Sequence, residues 1–207
     1  MDKDLDFVHK YLPASVSPPA ETLLLFHGTG GDEESMIQIG QMVSRDAGLL
    51  SPRGKVLENG MPRFFRRLSE GVFDQEDLKL RTKELAVFIN SASNEYGFDL
   101  SNLSALGYSN GANIISSLIL TYPGLFKKAV LFHPMIPFVP DSMPDLSGTR
   151  ILITAGTNDP IVIAEESEGL MKLFKDSDAW TEIIWLNNGH SLTREEIDRA
   201  KIFLLES

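Results

Sequence analysis

Several short segments of this chain are aliphatic on both sides of the alternation that a half-exposed strand would show. The plainest is Thr22-Leu23-Leu24-Leu25-Phe26. Such a run has no polar face to turn to water, so it belongs inside a parallel sheet covered on both sides. Leu103-Ser104-Ala105-Leu106-Gly107-Tyr108, Ala129-Val130-Leu131-Phe132 and Ile151-Leu152-Ile153-Thr154 repeat the pattern, with residues 181–186 as a further strand and Ala47-Gly48-Leu49-Leu50 as a weaker one. Between them the spacing predicts helices from Asp32 to Asp46, from Gln75 to Tyr96, over residues 112–120, from beyond Pro160 to Lys175, and from Thr193 to Leu205. Gly97 is a natural stop for the second of these. Alternating strands and helices predict an α/β fold with a mostly parallel central sheet and helices on both faces. Residues 51–71 hold Pro52, Gly54, Gly60 and Pro62 without any period and read as a long loop. Pro134, Pro137, Pro140 and Pro144 mark an irregular connector.

A chain of 207 residues fits one domain, here expected to span residues 1–207. Lys and Arg total 19 against 29 Asp and Glu, a net charge of −10 that repels phosphate backbones, so nucleic acid is not an expected partner. Without cysteine there is no disulfide, no thiolate nucleophile and no cysteine-ligated metal. The four histidines, His9, His27, His133 and His190, lack a paired metal spacing, so neither metal nor cofactor is expected. The acidic start, residues 1–6, lacks the apolar core of an export signal, and no run is long enough to span a membrane. A cytoplasmic location follows as an expectation.

Gly107-Tyr108-Ser109-Asn110-Gly111 lies between a predicted strand and a predicted helix. G-x-S-x-G in that context is the nucleophile elbow, a strained turn that exposes the serine hydroxyl. On its own the pentapeptide could also be an ordinary glycine-flanked turn, so partners must be found. A serine needs a base, and the base needs an orienting acid; on this kind of sheet they follow in the order serine, acid, histidine. His190, in Asn187-Asn188-Gly189-His190 just after the last strand, is the candidate base, ahead of His133. His133 reads as filling space beside the site and is carried as a substrate-side candidate. Asp159, in the loop after residues 151–154, is the candidate acid, ahead of Asp141 and Asp145 in the Pro-rich connector; the alternative is a helix cap before Pro160. The backbone N–H groups of Asn110 and of Thr29, in Phe26-His27-Gly28-Thr29-Gly30-Gly31, are the candidate oxyanion donors. His27 reads as shaping its loop.

Together with Gly156-Thr157-Asn158-Asp159-Pro160, Gly189-His190 and residues 58–67, these motifs resemble the bacterial phospholipase/carboxylesterase family of α/β-hydrolases, particularly its small esterases linked to hydroquinone resistance. The resemblance covers nearly the whole chain. It implies the α/β-hydrolase fold and a serine hydrolase with Ser109, Asp159 and His190 as triad. Acyl-protein thioesterases are similar but typically carry leucine and aspartate around the first glycines and glutamine after the serine, where this chain has Thr29, Gly31 and Asn110. Dienelactone hydrolases share the size and fold but use a cysteine.

Large caps in this fold are inserted after the strand ending near Phe132, where only residues 133–150 are available, so no cap domain is expected. Specificity then falls to residues 51–71, with Arg53, Lys55, Arg63, Arg66 and Arg67 against Glu58 and Glu70. Arg63 and Arg66 are candidate ligands for an anionic group, with Phe64 as apolar surface; alternatively the arginines pair with carboxylates of this acidic chain. The expected function is hydrolysis of small carboxylic esters, anionic ones included. The alternatives are a thioesterase, a carbon–carbon bond hydrolase or a non-catalytic ligand binder on the same fold. A homodimer is left open.

Overall fold

The computed structural model describes residues 5–16 and 21–206. Residues 1–4, part of the acidic start, lie outside the described residues. The chain runs through β1 (His9–Leu12), β2 (Thr22–Phe26), α1 (Ile37–Val43) and β3 (Gly48–Pro52), then β4 (Val56–Glu58), β5 (Met61–Arg63), β6 (Arg67–Ser69) and β7 (Val72–Phe73). It continues through α2 (Gln75–Tyr96), β8 (Leu103–Tyr108), α3 (Asn110–Thr121), β9 (Lys128–Phe132), β10 (Arg150–Gly156), α4 (Ala164–Asp176), β11 (Trp180–Leu186) and α5 (Arg194–Leu205). Seven strands form one sheet in the order β1-β3-β2-β8-β9-β10-β11. All neighbours are parallel except β1, which pairs antiparallel with β3. This is the α/β-hydrolase fold expected from the sequence, without a cap between β9 and β10.

Side-chain alternation along β2 explains why helices cover both faces. Leu24 and Phe26 join the larger core layer with residues of α2, α3 and α4, such as Leu85, Ile115 and Phe174. Leu23 and Leu25 point the other way, into a second layer with Ile37 and Val43 of α1 and Phe203 and Leu204 of α5. Neither face of the strand can meet water, which is why the run is apolar throughout.

Several expectations need correction. Residues 51–71 are not one long loop: β4 pairs with β5 and β6 with β7 as two short hairpins beyond the main sheet. Their strands of two or three residues, with exposed tips at Asn59-Gly60 and Glu70-Gly71, are too short to show a period. The first helix begins at Ile37 rather than Asp32, because the Asp32 carboxylate accepts N–H bonds from Glu34 (3.0 Å) and Ser35 (3.1 Å) and closes a tight turn instead. Strand β1 was unread, since His9-Lys10-Tyr11-Leu12 is only half-buried along its length.

The register brings the C-terminal ends of the central strands to one edge. Phe26 pairs with Gly107, Tyr108 with Phe132, Phe132 with Thr154, and Gly156 with Leu186. Ligands of open parallel sheets bind at that edge, where successive strands depart to opposite sides. Here β3 departs to one side of β2 and β8 to the other.

Candidate active site

Ser109 stands between β8 and α3 with φ 53° and ψ −115°, a backbone that non-glycine residues rarely adopt. Two glycines make the bend sterically feasible. A Cβ at Gly111 would collide with the carbonyl of Phe26, and one at Gly107 would stand 2.8 Å from the backbone of Gly111. The bend is pinned by the Ser109 N–H, which donates to Phe132 O (2.9 Å), and by Ser109 O, which accepts from Asn113 N (3.0 Å).

Around the hydroxyl, Nε2 of His190 lies 2.9 Å from Ser109 Oγ, and Nδ1 of the same ring lies 2.8 Å from Asp159 Oδ2. The Tyr108 hydroxyl donates to the His190 carbonyl (2.7 Å) and so ties down the loop that carries the imidazole. Asp159 is held from its own loop: Oδ1 accepts N–H bonds from Ile161 (2.8 Å) and Val162 (3.0 Å). Burial of this carboxyl opposes ionisation, but the Val162 N–H, the His190 ring and the Ile161 N–H outweigh it and hold the group below its ordinary value. The cap-like and acid-like readings of Asp159 therefore coexist, one oxygen for each.

A second histidine stands behind the acid. His133, at the end of β9 with φ 51°, has its Nδ1 2.9 Å from the same Asp159 Oδ2, and its Nε2 2.9 Å from Oε1 of Glu196 on α5. The side chains of His133 and Glu196 are fully enclosed. Burial alone would discharge the His133 ring, but Glu196 and Asp159 outweigh it and raise its affinity for the proton. Sequence reading missed Glu196. Thr193-x-x-Glu196 is a capping-box signature that could have been found, and both halves of that box form. The signature gives the cap but says nothing of burial. Among the described residues, His133, Asp159 and His190 could each offer a metal-ligand atom within 4.8 Å of the others. Those atoms are directed at one another, two imidazole nitrogens to one carboxylate oxygen, which is a hydrogen-bonding arrangement.

Ser109 and His190 open onto a cleft of about 310 Å³ whose wall includes Thr29, Arg63, Arg67, Phe73, Met135 and Ile161. A groove of about 510 Å³ between α2, α3 and the connector is larger but holds none of these groups. The first turn of α3 fixes two walls of the cleft. Oδ1 of Asn110 accepts from Phe64 N (2.7 Å), and Oδ1 of Asn113 accepts from Met135 N (2.7 Å). Asn110 is the first residue of α3, so its own N–H is one of those a helix leaves without an internal acceptor. Asn110 and Thr29 both line the cleft beside Ser109.

Not every candidate faces that space. Phe64 is buried against Phe26 and His27 and belongs to the core, and His133 lies behind the cleft wall. Arg66 points outward and pairs with Asp74 (3.1 Å). Arg63 does line the cleft; it donates to Thr29 Oγ1 (2.8 Å) and contacts Glu58 (3.3 Å), the carboxylate it shares with Arg67 (2.9 Å). Arg67, from the same charged segment, also faces the cleft. Arg53 and Lys55 pair with Glu33 and Asp6. His27 is a loop-shaping residue: its Nε2 accepts from Gly54 N (3.0 Å), so its other nitrogen donates to Gly28 O (2.7 Å).

A family model described as the dienelactone hydrolase family matches residues 54–201. The chain is 47% identical over 185 residues, 89% of its length and 92% of the other's, to a Bacillus subtilis (strain 168) protein named "Putative hydrolase MhqD". Its structure is similar to a Bacillus cereus carboxylesterase at 47% identity and TM-score 0.93, covering 96% of this chain and 93% of that one. It is also similar to YahD, solved with malic acid, at 29% identity and TM-score 0.89, covering 96% and 98%. The likeness to small bacterial carboxylesterases expected from the motifs is met. Against the expectation that set dienelactone hydrolases apart, the matching model bears their name, with Ser109 at the elbow instead of cysteine.

Proposed function

Because this chain belongs to the dienelactone hydrolase family and is a hydrolase of the carboxylesterase kind, we propose that it cleaves small carboxylic esters through an acyl-enzyme on Ser109. The observation that carries this reading is the unbroken line from Ser109 Oγ through the His190 ring to Asp159, with separations of 2.9 and 2.8 Å. Ser109 Oγ attacks the ester carbonyl while its proton passes to His190 Nε2. Asp159 fixes the ring with Nδ1–H toward the carboxylate and stabilises the imidazolium as it forms. The N–H groups of Asn110 and Thr29 receive the negative oxygen of the tetrahedral intermediate. Collapse breaks the bond to the alcohol, which leaves with the proton from Nε2. Water then repeats the sequence against the acyl-serine, releasing the acid and restoring the serine hydroxyl.

For the substrate, the favoured class is a small ester that carries a carboxylate. Arg63 and Arg67 both line the cleft and share one acidic partner, Glu58, so guanidinium donors remain to receive a carboxylate there, although Glu70 lines the same wall. Phe73, Met135 and Ile161 supply apolar surface in the same cleft. The relative solved with malic acid, a dicarboxylate, is consistent with this class. One domain over residues 1–207 suffices for this chemistry.

Ser109→Ala should lower kcat on short p-nitrophenyl esters by roughly 10⁴-fold or more while the thermal transition stays in place. A fluorophosphonate should label the unaltered protein at Ser109 and leave the variant unlabelled. Turnover that survives in the variant would refute the assignment, and absence of labelling would favour a binder. A panel of matched esters and thioesters then decides between the ester and thioester classes.

A further inference from the structure

We propose that His133 is a positioning residue held as an imidazolium, which with Glu196 orients the Asp159 carboxylate and extends to lower pH the range in which His190 can act as a base. The inference rests on the assignment of Ser109, His190 and Asp159 given above.

The charge on His133 follows from the groups around it. Glu196 is surrounded by donors: Oε1 accepts from Thr154 Oγ1 (2.7 Å), and Oε2 from Thr193 N (2.7 Å) and Asn188 Nδ2 (3.1 Å). A carboxyl that receives so many donors is ionised. His133 Nε2 lies 2.9 Å from its Oε1, off the line of a well-aligned hydrogen bond. If that nitrogen were unprotonated, its lone pair would face a buried carboxylate with nothing between. Protonated, it makes an ion pair, while Nδ1–H serves Asp159. Only the doubly protonated ring satisfies both sides.

The backbone is built for this placement. His133 adopts a left-handed φ of 51° and its N–H is held by Thr154 O (2.9 Å). This kink sits beside that of Ser109, since Tyr108 and Phe132 are register partners. A histidine that merely filled space would need neither the strained backbone nor two carboxylate partners.

Charge counting then gives the effect on the base. Asp159, Glu196 and His133 sum to −1, as a lone aspartate would. With His133 neutral the same pocket would carry −2, and the extra negative charge beside His190 would oppose its base form. The His133 and His190 rings are 5.1 Å apart, close enough for direct repulsion between two cations. Among the described residues, Asp159, Glu196 and Tyr108 lie against this pair, the Tyr108 ring 6.0 Å from His133 and 5.5 Å from His190, and Arg63, Arg67 and Glu70 line the cleft that His190 faces. Burial, with Asp159 and Glu196, pushes the Tyr108 phenol up, so it stays neutral and leaves the count unchanged.

His133→Asn separates charge from orientation. Asparagine tolerates a left-handed backbone, and its amide can still donate to Asp159, but it carries no charge. In profiles of kcat/KM against pH, the acid limb of this variant should move to higher pH by about one unit. Its kcat on the alkaline plateau should fall by less than about tenfold. A limb that stays in place, or a plateau loss without a shift, would overturn the proposal. Nitrogen NMR of the unaltered protein provides a reading that needs no variant: both ring nitrogens of His133 should be protonated at neutral pH, and a neutral ring would overturn the proposal. Fluorophosphonate labelling separates the two levels. Labelling with an unmoved limb removes this inference alone, whereas failure to label Ser109 removes the triad and this inference with it.

Discussion

Ser109 and His133 are non-glycine residues in left-handed conformations at the ends of neighbouring strands, at φ 53° and 51°. Each such residue costs about 1–3 kcal/mol, and such strain persists where the surroundings enforce it. The sequence makes one of them legible, through Gly107 and Gly111, which leave room for the bend. The other has no glycine signature, and only its position after a strand pointed to the site. Glu196 was hidden for a related reason: a glutamate in the first turn of a helix ordinarily faces water, and burial here depends on a histidine 63 positions earlier in a chain of 207. Arg67 shows the converse. Its side chain is about a third exposed and its partner Glu58 is shared with Arg63. Arg67→Ala should raise KM for a dicarboxylate half-ester relative to a matched neutral ester by about 10–100-fold, the worth of one charge-assisted hydrogen bond. Steady-state kinetics on the two esters measure this, and an unchanged ratio would remove Arg67 from substrate recognition.

At the level of elements, the strands buried on both faces were the most legible, because their composition records two apolar surroundings at once. Helix α2 was read at both ends. Its Asp74 cap accepts from Asp77 N (3.1 Å), and Gly97 closes it at φ 74°. The hairpins β4–β5 and β6–β7 were not legible, since their short strands are held by tertiary partners such as Asn110 and Asp77 rather than by local pattern. Helix α5 joins element to site. Thr193 Oγ1 caps Glu196 N (3.4 Å), and Glu196 Oε2 accepts from Thr193 N (2.7 Å). Thr193→Ala should cost about 1 kcal/mol of stability through the lost cap, measurable by urea denaturation. A loss within error would show that the box adds nothing to the fold.

Across the whole molecule, the acid pair and buried imidazolium give stability a defined pH window. Burial opposes the charge on His133, yet its carboxylate partners raise its value above 6.5, so its contribution is complete below 6.5 and disappears as pH rises through the elevated value. Asp159 and Glu196 are held below 3.8 and 4.5 against their burial, so their contributions are complete above those values and disappear as pH falls through the lowered ones. The difference in melting temperature between the unaltered protein and His133→Asn should therefore be largest between about 4.5 and 6.5 and shrink on either side. A difference that is flat with pH would show that the ring is neutral. The hairpins beyond the sheet carry a different implication. Phe64 and Phe65 anchor them in the interior, while the tip at Asn59-Gly60 is exposed and the tip at Glu70-Gly71 lies on the wall of the cleft that Ser109 and His190 face. They behave as an exchangeable cassette: segments of other length and charge could be grafted there to retune which esters are admitted, while the reacting groups stay where the scaffold holds them.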